Sequence, residues 1–336
     1  MKPILIGVFI VTVLLLFYFS INYQEVEKTP LGFVQNECQV EIGSQVWVES
    51  GTFAMGGDDY YPDEGPIHEV TLDGFWIDAH EVTNAQFAEF IDATGYVTVA
   101  ERMPNPDELK DAPPDMLKPG SITFTPPSKG GYVRSWWSYT PGANWKHPSG
   151  PGSSIEGKEN FPVVQVAYED AKAYADWAGR QLPTEAQFEF AARNKLNQKV
   201  YAWPGEQLAP NGKYMANTWQ GFFPIDNSKA DGFKGIAPVG CYDPNQYGAF
   251  DLIGNVWEWT ANRYVSQHNP DDNLNPKGPI GSDEVDLKNN IYPVRVIKGG
   301  SYLCAPNYCV RYRPSARHSQ DAGIGAEHIG FRTVSS

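Results

Sequence analysis

Residues 41–336 of this 336-residue chain read as one mixed α/β domain with a small share of regular structure. Three observations lead there. The 32 glycines and 27 prolines exceed the usual share, so loops outnumber long helices. Apolar residues alternate from Val46 in VWVESGTFAMGG, and again at Val70, Leu72, Phe75 and Ile77 in EVTLDGFWIDAHEVT, which is the period of strands. Three short stretches switch to helical spacing, and two of them open with a capping box. No composition shift marks a boundary inside 41–336, and a chain of that size builds a core without disulfide staples.

In chain order, Lys2 precedes an apolar run from Pro3 to Phe19, with no A-x-A cleavage site after it. The run is near the lower limit for spanning a bilayer, about 17–25 residues. Residues 1–21 therefore read as a signal anchor holding the chain at a membrane, with a cleaved signal peptide as the alternative. Lys2 on the inside places the rest outside the cytoplasm, periplasmic or at the cell surface. Residues 22–40 are polar and read as a linker.

The first helix is capped by the Thr83–Gln86 box, places Phe87, Phe90 and Ile91 on one face, and stops at Gly95. Residues 102–160 are rich in Pro, Gly and Trp and carry little periodicity. Trp136, Trp137 and Trp145 argue for order there, as a local core or a peptide groove. The second helix is EDAKAYADWAG, with Ala171, Tyr174, Ala175 and Ala178 on one face. The third, TEAQFEFAAR, opens with the Thr184–Gln187 box. Loops and short strands follow to the end.

A net charge of −14 argues against a nucleic-acid partner, which requires a basic face. No GxSxG or P-loop occurs, so serine hydrolases and NTPases are set aside. His68, His80, His147, His268, His318 and His328 lack metal-ligand spacing and read as structural.

The chemistry concentrates in KGGSYLCAPNYCVRYR, residues 298–313. Gly299 and Gly300 lead in, and Arg311 and Arg313 alternate with Tyr312, which predicts a strand with a charged face. Cys304 and Cys309 lie five residues apart. Such a pair can close a disulfide, hold a soft metal ion, or act as nucleophile and resolving thiol. Zinc is disfavoured, because a structural site needs four ligands and no CxxC or Cys/His partner lies nearby.

GTFAMG, HEVTNAQFAEFI, LPTEAQFEFAAR, GNVWEWT, KGGSY and GFR together resemble the formylglycine-generating enzyme (sulfatase-modifying factor) family, over nearly all of Val46 to Val334. The fold implied is a mixed α/β, C-type-lectin-like domain, which non-catalytic relatives share. GSYLCAPNYCVRYRPSAR is more specific, and is similar to the catalytic loop of the family's enzymes. Those enzymes oxidise the cysteine of a Cys-x-Pro-x-Arg segment in an unfolded sulfatase polypeptide to Cα-formylglycine, using O2 and Cu(I). The resemblance implies Cys304 and Cys309 as copper ligands, Ser301 and Trp257 as walls of an oxygen pocket, and a monomeric enzyme.

Two calcium sets are implied as well. One is Asn217, Thr218, Asp231 and Phe233; the other is Asp251, Gly254, Val256 and Glu258. Read without the resemblance, these acids cap turns. The chain departs from the family pattern at Ala305, Asn307, Pro314 and Thr333; cysteines stand at the last two places in vertebrate members, and Cys38 and Cys241 do not replace them by position. Glu81 matches an acid near the family's peptide groove and is expected to receive the substrate arginine. The other reading of Glu81 is support for the start of the first helix. A second family acid falls near Asn105, with Asp107 close enough to substitute.

Two further functions are weighed. A non-catalytic scaffold or binding module of the same fold generally lacks the cysteine pair. A thiol–disulfide oxidoreductase wants a CxxC at a helix N-terminus, which is absent.

Overall fold

The computed structural model describes residues 38–105, 112–127, 136–196, 198–205, 207–279 and 293–336. They lie in one compact unit, Asn36–Ser336. The leader 1–21, most of the linker and Asp107 lie outside the described residues.

One expectation is corrected here. No helix among the described residues is long and apolar enough to cross a membrane. The longest, Asn84–Thr94, has 11 residues, or roughly 16 Å, about half the ~30 Å hydrocarbon layer. No described helix supports the signal anchor expected at residues 1–21, which themselves lie outside the described residues.

The opening strands form where the alternation predicts them. β1 (Gln45–Val48) pairs antiparallel with β4 (Phe75–Asp78), and β2 (Gly51–Met55) with β3 (His68–Leu72). Inward residues Val48, Phe53, Val70, Leu72, Phe75 and Ile77 are buried. Helix α1 (Asn84–Thr94) has the reciprocal Thr83–Gln86 capping box and ends at Gly95, whose φ of 66° suits a residue without Cβ. The stretch 102–160 holds more order than its sequence shows: β5 (Gly120–Phe124) and β6 (Trp137–Pro141) pair antiparallel. Helices α2 (Tyr168–Trp177) and α3 (Glu185–Ala192) follow. Phe87 and Phe90 of α1 pack with Tyr174 of α2 and with Phe331, and this aromatic knot is the centre of the main core.

A second sheet carries the cysteine loop. β7 (Trp257–Arg263), β8 (Val294–Lys298), β9 (Arg317–Asp321) and β10 (Ile329–Gly330) run in the order β10-β7-β8-β9. β11 (Val334–Ser335) returns to β4. Lys298, the last residue of β8, is fully buried and donates to Glu189 of α3 (2.9 Å), which Arg193 also holds (2.7 Å). Arg317 at the start of β9 grips Glu185 of α3 through Nε (2.7 Å) and Nη2 (3.0 Å). Helix α3 thus pins both strands that flank the loop.

The predicted strand at Arg311–Arg313 does not form. Residues 311 and 312 are irregular, a turn follows in which Ala316 N–H bonds to the Arg313 carbonyl (3.1 Å), and β9 starts only at Arg317. Pro314 has no N–H to offer a ladder. Both arginines fold onto the segment 60–64 instead.

Candidate active site

The loop between β8 and β9 is shaped by Gly299 and Gly300, at φ 92° and 79°. A Cβ on Gly300 would lie 2.9 Å from the Tyr312 Cα, so entry and exit strands of the loop approach closely only because this residue is glycine. Cys304 N–H bonds to the Ser301 carbonyl (2.9 Å), and Cys309 N–H to the Ala305 carbonyl (2.8 Å). These two turns bring the thiols together: Sγ of Cys304 and Sγ of Cys309 are 2.8 Å apart, and both cysteines are free. Cys304 is 2% exposed, whereas Cys309 is half-buried.

The two thiols differ electrostatically. Burial pushes Cys304 well above the ordinary thiol range, and its hydrogen bond to Cys309 adds to this. Cys309 is lowered, first by that hydrogen bond and then by the Arg311 backbone and the charges of Arg311 and Arg313, against its own burial. Cys309 is the thiolate-prone partner and Cys304 the donor to it.

Both arginines are held by acids. Arg311 Nη1 meets Asp63 (3.1 Å) and covers the Tyr61 ring at 3.8 Å. Arg313 is paired with Glu64 and covers the Tyr60 ring at 3.7 Å. Asn307 clamps the far side of the loop, accepting from Phe223 N–H (3.1 Å) and donating to its carbonyl (2.9 Å). Ala305 is fully buried with Trp219, Phe223, Tyr302 and Leu303, so a small apolar residue fits there. Over 80 residues separate each of these clamps from the loop in sequence, so no local pattern announces them.

The other expected wall residues are near. Ser301 is fully buried, and its hydroxyl hydrogen-bonds Cys304, favouring the thiolate. Trp257 is buried in the same core as Cys304 and Tyr312, with its ring against His318 at 5.8 Å. Trp145 is core, packed edge-on to Phe87, while Trp136 and Trp137 join an aromatic patch with Phe223 and Tyr308. Burial holds His318 at about 4 and His328 at about 3, so both are neutral and structural.

Glu81 is not at a groove. It is fully buried, Oε1 accepts from Asn255 (3.0 Å), and Oε2 has no hydrogen-bond partner. Burial, then Asp251 and Glu258, raise its carboxyl well above the usual range. A surface peptide does not reach it, and the expectation that it receives the arginine is corrected accordingly.

In the first calcium set, Asp231 accepts from Thr218 N–H (3.0 Å) and Phe233 N–H (3.3 Å), the pattern of an acid capping a turn, with Asn217 adjacent to Thr218. Burial pushes Asp231 to about 6, and no cationic side chain offsets it. Its chemistry, buried hard oxygens without a counter-charge, fits calcium. In the second set, Gly240 N–H bonds Asp251 (2.7 Å), and Arg332 takes both oxygens of Glu258 (2.7 and 2.8 Å). Glu81, Asp251 and Glu258 act on one another there, yet no three acidic, Cys or His side chains converge on a common point among the described residues. Thr333 bonds Asp78 through N–H (2.7 Å) and hydroxyl (2.6 Å). Cys38 and Cys241, left unpaired by sequence reasoning, form a disulfide with Cα atoms 4.1 Å apart.

A buried dithiol of unequal acidity, on a glycine-led loop clamped from both sides, defines a thiol-based redox or soft-metal site in a mixed α/β domain. The sulfatase-modifying factor enzyme 1-like domain matches residues 31–336, and the chain belongs to that family. It is 48% identical to the formylglycine-generating enzyme of Mycobacterium tuberculosis over 291 residues, 84% of this chain and 95% of that protein. The mouse formylglycine-generating enzyme is 39% identical over 309 residues, 91% of this chain and 78% of that one. A mouse protein named inactive C-alpha-formylglycine-generating enzyme 2 is 36% identical over 315 residues, 92% of this chain and 89% of that one. Among solved structures, PvdO from Pseudomonas aeruginosa superposes with a TM-score of 0.60 at 22% identity, over 86% of this chain and 93% of that one, a likeness of fold alone.

Proposed function

We propose that this protein is an O2-dependent oxidase that converts the cysteine of a Cys-x-Pro-x-Arg segment in a sulfatase polypeptide to Cα-formylglycine. The observation that carries the reading is the free Cys304–Cys309 pair, at 2.8 Å, in a chain nearly half identical to a formylglycine-generating enzyme. Two soft donors of unequal acidity fit copper(I), which they would hold, and which would supply the one-electron chemistry with O2 that no side chain offers.

The chain's own residues do the rest. Cys309, held towards thiolate by Cys304 and Arg311, is the half-exposed member and faces the arriving substrate thiol. Cys304, Ser301 and Trp257 close the inner side and exclude water, which keeps the site's electrostatics strong. Trp136, Trp137 and Tyr308 beside Cys309, backed by the buried Phe223, offer flat faces to a peptide.

Three finer readings go with this one. Calcium at Asn217, Thr218, Asp231 and Phe233, and at Asp251, Gly254, Val256 and Glu258, stabilises the loops beside the site, supported by the buried acids there. An extracytoplasmic, oxidising location is supported by the Cys38–Cys241 disulfide. The C-type-lectin-like description of the domain rests on the resemblance alone.

The second reading, a non-catalytic module, is kept in view by the relative named inactive. Copper uptake decides between them. Under reducing conditions the full chain should bind one equivalent of Cu(I), and Cys304→Ser should lose it with an unchanged melting curve. A wild type that takes up no copper would support the module instead.

A further inference from the structure

The proposed substrate carries a cation four residues beyond its reacting cysteine, roughly 13 Å away in an extended chain. Glu81 is interior and cannot receive it. Of the acids against the cysteine loop, Asp63 is bound to Arg311 and Glu64 to Arg313. Glu327 is different. Its Oε1 accepts from the hydroxyl of Tyr302, a residue of the loop, at 3.4 Å, and its Oε2 is buried with no hydrogen-bond partner.

Glu327 sits at the edge of the aromatic patch beside Cys309. Its N–H bonds to the Ile122 carbonyl of β5 (3.1 Å). The next residue, His328, has its ring 4.5 Å from Trp137, and Trp137 Nε1 reaches the Tyr308 hydroxyl at 3.5 Å. Tyr308 directly precedes Cys309. The exposed Ser149 acts on the Glu327 carboxyl and marks its solvent side.

We infer that Glu327 is the carboxylate that receives the arginine of the Cys-x-Pro-x-Arg segment, a specificity residue whose role rests on the proposed activity. The residue is 6% exposed, so Ser149 must move aside for a guanidinium to enter. Burial pushes the carboxyl up to about 7, with Phe124 N–H and the hydroxyls of Tyr302 and Ser149 opposing it. A guanidinium brings two parallel N–H donors to such an acid and stacks well on indole and phenol faces.

The test uses the full chain and fluorescent peptides with serine in place of the reacting cysteine, so that binding is read apart from turnover. One peptide keeps the arginine and the other has alanine there. Wild type should bind the arginine peptide at least about tenfold more tightly, the size expected of a charged hydrogen-bonded pair. Glu327→Gln should lose that preference to within about twofold while melting with wild type, and Glu327→Asp should keep part of it. An undiminished preference in Glu327→Gln, or equal weakening on both peptides, overturns the inference. Conversion of a cysteine-containing arginine peptide by wild type is scored in parallel. If it occurs while Glu327→Gln keeps its preference, only this inference fails; if it does not occur, the activity reading fails and takes the inference with it.

Discussion

At the scale of single residues, Asn307 separates two accounts of the loop. It departs from the family pattern, and a part in proton handling is one account of it. The structure gives it a mechanical job, two hydrogen bonds to the backbone of Phe223. Asn307→Ala should then cost about 2 kcal/mol, since each such bond contributes about 1 kcal/mol net. The melting temperature should fall by roughly 4 °C or more, given about 2 °C per kcal/mol in a domain of this size. Turnover should fall with it, because the turn that presents Cys309 loosens. A large loss of turnover at an unchanged melting temperature would instead mark Asn307 as a chemical participant.

At the scale of elements, helix α3 is the anchor of the loop's two strands. Burial alone would raise Glu189, but Lys298 and then Arg193 pull it down to about 2. Glu185 is held lower still, with Arg317 as the main opposing charge to its burial. A depressed carboxylate contributes stability that is fully present above its unfolded value of about 4.3 and disappears as pH falls through the folded value. Glu189→Gln leaves the buried Lys298 only its longer contact with Glu185 (3.8 Å), a loss of up to about 3–5 kcal/mol. The wild-type advantage over Glu189→Gln should therefore be large in urea titrations at pH 6 and shrink towards pH 2. A difference independent of pH would remove the ion pair from the account. The helix itself was legible in the sequence, because a capping box and its periodicity are local signals. Its distant ionic partners were not, since Arg317 lies 132 residues from Glu185. The same limit explains the Arg311–Arg313 strand. Alternation alone predicted it, while Pro314 and the acids of 60–64 decided otherwise. Glu81 shows the limit at a site residue: a motif match places a residue in the chain, but not on a surface.

At the scale of the whole molecule, the Cys38–Cys241 disulfide spans a sequence separation of 203. Closing so long a loop restricts the unfolded chain, by up to about 5 kcal/mol in the chain-entropy account. The double Cys38→Ser/Cys241→Ser variant should melt well below wild type while keeping its copper uptake, because the disulfide is remote in sequence from the loop and packs in a separate small cluster. Calcium acts at the same scale. A ligand that binds only the native state stabilises it by mass action, so excess EGTA should lower the melting temperature and added calcium restore it. Asp231→Ala should abolish part of that response. A melting curve indifferent to both reagents would strike calcium from the proposed function.

The central claim is that Cys304 and Cys309 carry an oxidation of a protein cysteine, and the mass of a Cys-x-Pro-x-Arg peptide tests it most directly. After incubation with the full chain, Cu(I), O2 and a reductant, the peptide should become lighter by about 18 Da as CH2SH becomes CHO. Cys304→Ser and Cys309→Ser, melting as wild type does, should leave the mass unchanged. Full conversion by the Cys309→Ser protein would contradict the account.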